Sequence, residues 1–537
     1  MLAAGSLSAA GSPVGDVVGK LTVGYQGWFS CSNDASPEAA RWRHWIISNT
    51  TPRPGNTHFD LYPDVREYTT TYATGYANFG NGSPARLFSS YSDQVVDKHF
   101  EWMQTYGIDT VALQRFGCSL SDTNSKAWKD GIAVKVKNAA QNYGRKFYIM
   151  YDLSDWTSFQ SDIKKDWTNT ITGALGLTNS GAYAKQNGKP VVCVWGIGCD
   201  GRPGSNTSWN DVVNFFKGKN CYVIMGVKRT WATNTISVYT NGHMISPWSV
   251  GGFTNTAGAD SYANLMATDQ TKCNNRGQDY LPVVWAGFSW YNWHTGETKN
   301  KTPRYHGDFM WRQYYNVRNK NIPSVYVAMF DEYDEATAIA KAAENSSMIP
   351  TDQWFLTLDY DGVACSSDFY LRLTGDGARM VKTQTGLTSA HPTSHIISTN
   401  PNVVINPSVE TDAASWTLTG LSARSTDTAA EGGIASMMLS GANAYARQTI
   451  PLEMGKTYEI SAWVNVTALT AGKAYFDTSD KYDATGQGQF TFSVTNGGWQ
   501  RYWGSFTATN TSITLRCFTA ANFAGTAYYD LIDVRPK

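Results

Sequence analysis

The chain is poor in charge: Lys, Arg, Asp and Glu make up 16% of its 537 residues, with 44 cations against 44 anions. That balance excludes the basic footprint of nucleic-acid or anionic-membrane binding, so neither partner is expected. No run of 18 apolar residues occurs, which excludes a membrane-spanning helix and with it membrane insertion. The eight cysteines are scattered, with no Cys-x-x-Cys pair and no histidine at zinc-finger spacing. This argues against a structural zinc site and leaves a few disulfides of unspecified pairing as the expectation. No glycine-rich phosphate fingerprint follows any predicted strand, which argues against nucleotide chemistry. No cluster has the spacing of a catalytic metal site, so catalysis without a cofactor is expected. The N-terminus lacks a basic segment and an apolar core. Residues 1–19 are therefore read as the tail of a mature secreted chain whose signal peptide is absent.

Aromatic residues are abundant, with 20 Trp and 30 Tyr, and Gly, Ser, Thr and Asn are plentiful. This polar, weakly charged profile fits an extracellular protein, and flat rings stack well on sugar faces. Short apolar runs recur at Leu21–Tyr25, Thr110–Gln114, Phe147–Tyr151, Pro190–Trp195, Tyr222–Gly226, Met244–Pro247, Pro282–Gly287 and Ser324–Phe330. Most are continuous rather than alternating, as strands buried on both faces must be. Helical patterns at Ser92–Tyr106, Ser125–Tyr143 and Trp209–Lys217 fall between them. An open doubly wound sheet gives a similar alternation. Eight strands in about 325 residues favour an α/β architecture of the (β/α)8 TIM-barrel type over residues 20–385.

The strands end in chemistry. Trp28 follows the first run, Arg115 the second, Asp152 and Asp155 the third, Trp195 the fourth, Trp231 the fifth and Trp248 the sixth. The seventh leads into Trp290 and His294, with His306 further on. The eighth breaks into four carboxylates within five positions, Asp331, Glu332, Asp334 and Glu335. Barrel enzymes carry their sites at this C-terminal rim. If the chain turns helically after Phe330, Glu332 and Glu335 stand roughly 5 Å apart at Cα. Carboxyl groups about 5–5.5 Å apart are the geometry of retaining glycosidases. A solvated helix start rich in acids is the structural alternative. The reading is a sugar-binding mouth, with Glu332 and Glu335 catalytic and the other rim residues contacting a polysaccharide or oligosaccharide.

After residue 345 the texture changes, and a mixed segment, Trp354–Val381, reads as the closing piece of the barrel. Residues 386–401 are rich in Thr, Ser, Pro and Asn and are expected to be a linker. Residues 402–537 alternate and turn like an all-β sandwich.

These motifs resemble a known group. Phe330-Asp-Glu-Tyr-Asp-Glu-Ala-Thr337 resembles the strand-eight motif Trp-Asn-Glu-Trp-x-Glu-Gly of family 99 glycoside hydrolases. Gly24-Tyr-Gln-Gly-Trp-Phe29 and Pro303-Arg-Tyr-His-Gly-Asp-Phe-Met-Trp-Arg-Gln313 resemble segments of the wider group related to families 99 and 71. The resemblance implies a hydrolase of α-linked glycans acting with retention. Glu335 would be its acid and base, and Glu332 would assist the substrate's own 2-hydroxyl. Family 71 relatives attack α-1,3-glucan, which leaves an inverting glucanase as one alternative; a barrel that only binds carbohydrate is another. Asp331 stands where Asn is usual, Tyr333 for Trp and Ala336 for Gly. The C-terminal region resembles jelly-roll carbohydrate-binding modules, framed by Asn406-Pro-Ser-Val-Glu410 and Tyr529-Asp-Leu-Ile-Asp-Val534. Many of these hold a structural calcium, which the resemblance places near Glu410 and Asp530.

Overall fold

The computed structural model describes residues 11–48, 50–294, 296–396, 402–430, 433–478, 491–495 and 497–536. Residues 1–10 of the expected tail and 397–401 of the expected linker lie outside these. The chain forms two compact units. One runs to Lys382 and includes Ser389–His395; the other comprises Thr383–Thr388 and the chain from Ile396 onward.

The first unit is the expected barrel. Its parallel strands are β1 (Leu21–Tyr25), β2 (Thr110–Phe116), β3 (Lys146–Asp152), β4 (Lys189–Ile197), β5 (Tyr222–Lys228) and β6 (Met244–Trp248). The seventh, β7, comes in two pieces, Asp279–Tyr280 and Val283–Trp285, and β8 is Val325–Ala328. Neighbours follow chain order from β1 to β6, and β8 returns to β1 in register, Leu21 opposite Val325. The break in β7 has a local cause. Leu281 N–H still bonds Ile245 of β6, but Pro282 has no N–H, and its carbonyl accepts from Tyr326 of β8. One strand thus hands over from β6 to β8 and brings the two ends of the sheet together.

Helices α1 (Asp93–Thr105), α2 (Thr123–Asn142), α3 (Phe159–Lys165), α4 (Asn206–Gly218), α5 (Thr256–Arg276) and α6 (Asp308–Asn319) join the strands. Between β5 and β6 the chain makes only 3₁₀ turns, and α7 (Phe369–Val381) follows β8. Side chains cap the starts of α2 and α5: Asp122 accepts from Ser125 N–H at 2.8 Å, and Asn255 from Gly258 N–H at 2.8 Å. The barrel axis is filled, not open. The Tyr326 hydroxyl meets Gln114, Met150 and Met329 there. Gly24 makes room for it, since a Cβ at that position would stand 2.2 Å from the Tyr326 oxygen. Chemistry is therefore confined to the mouth. No described helix is long and apolar enough to cross a membrane.

Part of the segment expected as a linker packs on the barrel. Arg372 of α7 donates to Ser394 O at 2.6 Å, and Thr393 bonds Asp376. All eight cysteines are free thiols, six of them buried, which corrects the expectation of disulfides.

The strands of the second unit pair antiparallel. Its strands are β9 (Thr417–Ser425), β10 (Ser436–Pro451), β11 (Thr457–Ala471), β12 (Ala474–Asp477), β13 (Thr491–Val494), β14 (Gln500–Thr507), β15 (Ser512–Thr519) and β16 (Ala524–Pro536). β10 pairs with β16 through Met437–Ser440 and with β15 through Tyr445–Pro451, so one long strand serves both layers of a sandwich. Leu439, Ile450, Ile460, Val464, Leu515 and Val534 fill the core between the layers.

Candidate active site

The acids after β8 do not start a helix. Thr337 and Ala338 N–H both bond Glu332 O at 3.2 and 3.1 Å, and Ala340 N–H bonds Phe330 O at 2.9 Å. The result is a tight turn with Ala336 at φ 52°. That left-handed conformation favours glycine, which accounts for the Gly of the resembling motif. The turn sends one of its four acids to β1 and the other three to a common cavity.

Asp331 turns toward β1, where its two oxygens accept from Gln26 N–H at 2.7 Å and Gly27 N–H at 2.9 Å. It is fully buried and does not line the cavity, so its expected place among the substrate contacts is corrected. Burial pushes its carboxyl up to about 6. Glu332, Asp334 and Glu335 open onto one cavity of about 410 Å³. Glu332 accepts from the Gln26 amide at 2.9 Å and the Thr337 hydroxyl at 3.2 Å. Burial, then the Glu335 charge, raise it well above the usual range. Glu335 is pushed up to about 8 by burial and by Asp334 beside it. Two such neighbours titrate as a pair. Donors favour the charged form: Gln26 and Thr337 donate to Glu332, and among the described residues no side chain donates to Glu335.

The facing wall comes from the long loop after β1. His44 stacks on Trp28 with ring centroids 3.9 Å apart and planes within 5°. Its Nδ1 lies 3.2 Å from Asp334 Oδ2. His58 packs on Trp293 at 4.0 Å and donates from Nδ1 to His44 O at 3.1 Å. Burial lowers His44 well below the ordinary imidazole range and His58 to about 4. Burial also pushes Asp334 up to about 7. Lys129 completes the wall; its ammonium donates to Gln26 O at 3.1 Å, and burial brings it down to about 7. Asp155 lines the cavity from β3, with φ 52°. A second cavity of about 540 Å³ adjoins the first through Cys118 and Asp155.

Of the expected rim residues, Trp28, Asp155, Glu332, Asp334 and Glu335 meet at this cavity; the others lie elsewhere. Asp152 is buried, and its Oδ1 accepts from the Ser154 N–H and hydroxyl at 2.7 and 2.5 Å. Burial pushes it up to about 6. Arg115 leaves β2 on the outer parity, opposite to Gln114, and pairs with Asp166 at 2.5 Å and Asp130 at 2.7 Å. It is a buried structural cation rather than a substrate contact. Trp231 is fully buried beneath Lys272 and Arg276, which makes it core. Trp195 and Trp248 meet edge to face at 5.3 Å, with Trp248 over Tyr326, outside the cavity lining. His294 packs between Trp290 and the lining Trp293, one layer behind the cavity, and His306 pairs with Asp361 at 3.2 Å; neither is among the lining residues. Sequence reasoning missed His44, His58, Lys129, Trp128 and Trp293. The pattern His44-Trp45 and His58-Phe59 inside an irregular loop carries no periodic signal.

In the second unit, Asp530 accepts from Ala430 N–H at 2.8 Å and Glu410 from Ile434 N–H at 2.8 Å. Both therefore converge on one loop. Two carboxylates fall short of the six to eight oxygens that calcium takes, so carbonyls and water would have to supply the rest.

Comparison with solved structures places the barrel. It superposes on the GH99 endo-alpha-mannosidase from Bacteroides thetaiotaomicron with a TM-score of 0.51 at 12% identity, covering 68% of this chain and 98% of that one. The same enzyme in complex with bis-tris-propane gives 0.50 at 13% identity with the same coverage. The barrel has the GH99 fold. Residues 401–520 match the family model described as a carbohydrate binding domain. No curated protein matches the sequence. The chain thus joins a glycoside-hydrolase-like barrel to a carbohydrate-binding domain.

Proposed function

We propose that this chain is a secreted glycoside hydrolase that cleaves α-linked glycans, α-mannan or a related α-polysaccharide, with retention. The observation that carries the reading is that Glu332 and Glu335 open onto one cavity at the end of β8, in a barrel of GH99 fold. Glu335 donates its proton to the glycosidic oxygen as the bond to the anomeric carbon breaks. Glu332 takes the proton of the substrate's 2-hydroxyl, whose oxygen closes on the anomeric carbon from the opposite face. Glu335, now ionised, takes a proton from water as the water opens that three-membered ring at the anomeric carbon, and Glu332 returns its proton to the 2-oxygen. Two inversions give net retention. Trp28 and Trp293 line the cavity, where the ring surface that His44 and His58 leave uncovered can meet the sugar.

The C-terminal unit holds polysaccharide. Tyr445, Phe518 and Tyr475 stand side by side on β10, β15 and β12, with adjacent ring centroids at 6.0 and 4.8 Å and planes within 13°. Their neighbours Ala444, Ala446, Cys517, Ala474 and Phe476 face the core, so the row lies on the opposite face of the sheet, with the half-buried Tyr445 and Tyr475 flanking a buried Phe518. A calcium ion between Glu410 and Asp530 would tie the loop at Ala430 to both ends of the domain; a rise in melting temperature with CaCl₂, absent in Asp530→Asn, tests it. Proton NMR of the first-formed anomer during digestion of an α-mannan tests the chemistry. The α anomer is expected; the β anomer contradicts retention, and no release from any α-linked glycan contradicts hydrolysis.

A further inference from the structure

The same cavity holds a constellation that goes beyond the hydrolysis reading, in which only the Asp334 charge plays a part, through its effect on Glu335. His44 Nδ1 lies 3.2 Å and His58 Nδ1 4.0 Å from Asp334 Oδ2. One donor atom from each of the three residues falls within 4.8 Å of the others, and no other trio of His, Cys, Asp or Glu among the described residues does so. Donors around a tetrahedral ion with bonds of about 2.0–2.2 Å stand roughly 3.3–3.5 Å apart. The two separations to Asp334 bracket that spacing.

A second observation points to a ligand. Asp334 is 2% exposed, and its Oδ1 is buried with no hydrogen-bond partner. A buried, unpaired carboxylate oxygen is costly unless something positive meets it. Both rings are held in place from outside, His44 by Trp28 and His58 by Trp293.

We propose that His44, His58 and Asp334 form a binding site for a first-row divalent transition ion of the zinc class, with its open position facing the cavity. Two imidazoles and one carboxylate suit zinc and its neighbours rather than magnesium or calcium, which take oxygen donors. Three protein ligands leave a fourth position for water. Binding through Nδ1 moves each ring's hydrogen to Nε2 and replaces the His58 bond to His44 O, so no net proton leaves the imidazoles. The site lies in the cavity of the hydrolase reading but does not depend on it.

The test uses the full chain, stripped with EDTA, titrated calorimetrically with ZnCl₂ in the absence of glycan. One zinc per chain is expected, with affinity at least about tenfold weaker in His58→Ala and in Asp334→Asn. Metal-free melting curves establish that both variants fold. Co²⁺ added to wild type gives a readout without any variant: intense visible absorption of a low-symmetry ion is expected. Glu335→Gln should lose hydrolysis and keep zinc, so failure of either reading shows in its own assay. No stoichiometric zinc in wild type, zinc retained at full affinity in both ligand variants, or the weak spectrum of hexaaqua-like Co²⁺ would each overturn the site.

Discussion

Arg304 donates from Nη2 to the carbonyl of Ala336 at 2.8 Å, immediately after Glu335, and to Ala338 O at 2.7 Å. The guanidinium lies over Tyr370 at 4.5 Å and is buried. It therefore brackets Thr337, whose hydroxyl donates to Glu332. One planar cation holds the turn that carries both proposed catalytic carboxyls. This gives the Pro303-Arg-Tyr-His segment a physical role.

Both bonds leave one nitrogen, Nη2, which the guanidinium plane stacked on Tyr370 holds in place; a lysine ammonium has no such plane to hold it there. Arg304→Lys is expected to lower kcat about 10²-fold while changing KM much less, because small displacements of catalytic groups are that costly. Steady-state kinetics on a cleaved glycan check this, and an unchanged kcat refutes the positioning role.

The proposed acid sets an alkaline limit. Glu335 must be protonated to act, and burial with the Asp334 charge holds it up to about 8. Activity measured in EDTA should therefore fall as pH rises through about 8. Asp334→Asn removes a neighbouring charge, so the limb should move to lower pH. A profile that stays flat well above pH 8, or a limb unmoved in the variant, contradicts the assignment.

Acid should weaken the fold through His99. Its ring sits between the Tyr25 hydroxyl at 2.9 Å and the Tyr68 hydroxyl at 2.8 Å, and burial lowers it to about 3. The folded value lies below the unfolded one of about 6.5, so the unfolded chain binds the extra proton. This contribution is full above about pH 6.5 and is lost as pH falls toward 3, by roughly 2 kcal/mol between pH 7 and 5. Denaturant unfolding at the two pH values measures it. His99→Gln should flatten the dependence, and an unaltered slope in that variant sinks the idea.

The aromatic row of the second unit makes a separate prediction. In a full-length Glu335→Gln background, Tyr475→Ala should weaken polysaccharide binding roughly tenfold, about 1.4 kcal/mol. Affinity electrophoresis reads this directly, and unchanged mobility would move the binding face elsewhere.

The barrel was legible because strands buried on both faces appear as unbroken apolar runs, and all eight lie where such runs occur. The acid cluster was legible too, but not its division of labour. A left-handed Ala336 sends Asp331 to the backbone of β1 and Glu335 to the cavity, which spacing alone does not reveal. Arg115 and Trp231 look like mouth residues in sequence, yet parity and the surrounding helices put both in packed interiors. His44 and His58 were invisible because an irregular loop brings them to an acid far along the chain, 290 positions from His44.

The central claim is tested most directly by reducing-end release from α-linked mannans, glucans, galactans and arabinans, comparing wild type with Glu335→Gln and Glu332→Gln. Release by wild type from at least one polymer is predicted, reduced by about 10²–10⁴-fold in Glu335→Gln. Undiminished release by both variants, or none by wild type from any polymer that it binds, would contradict it.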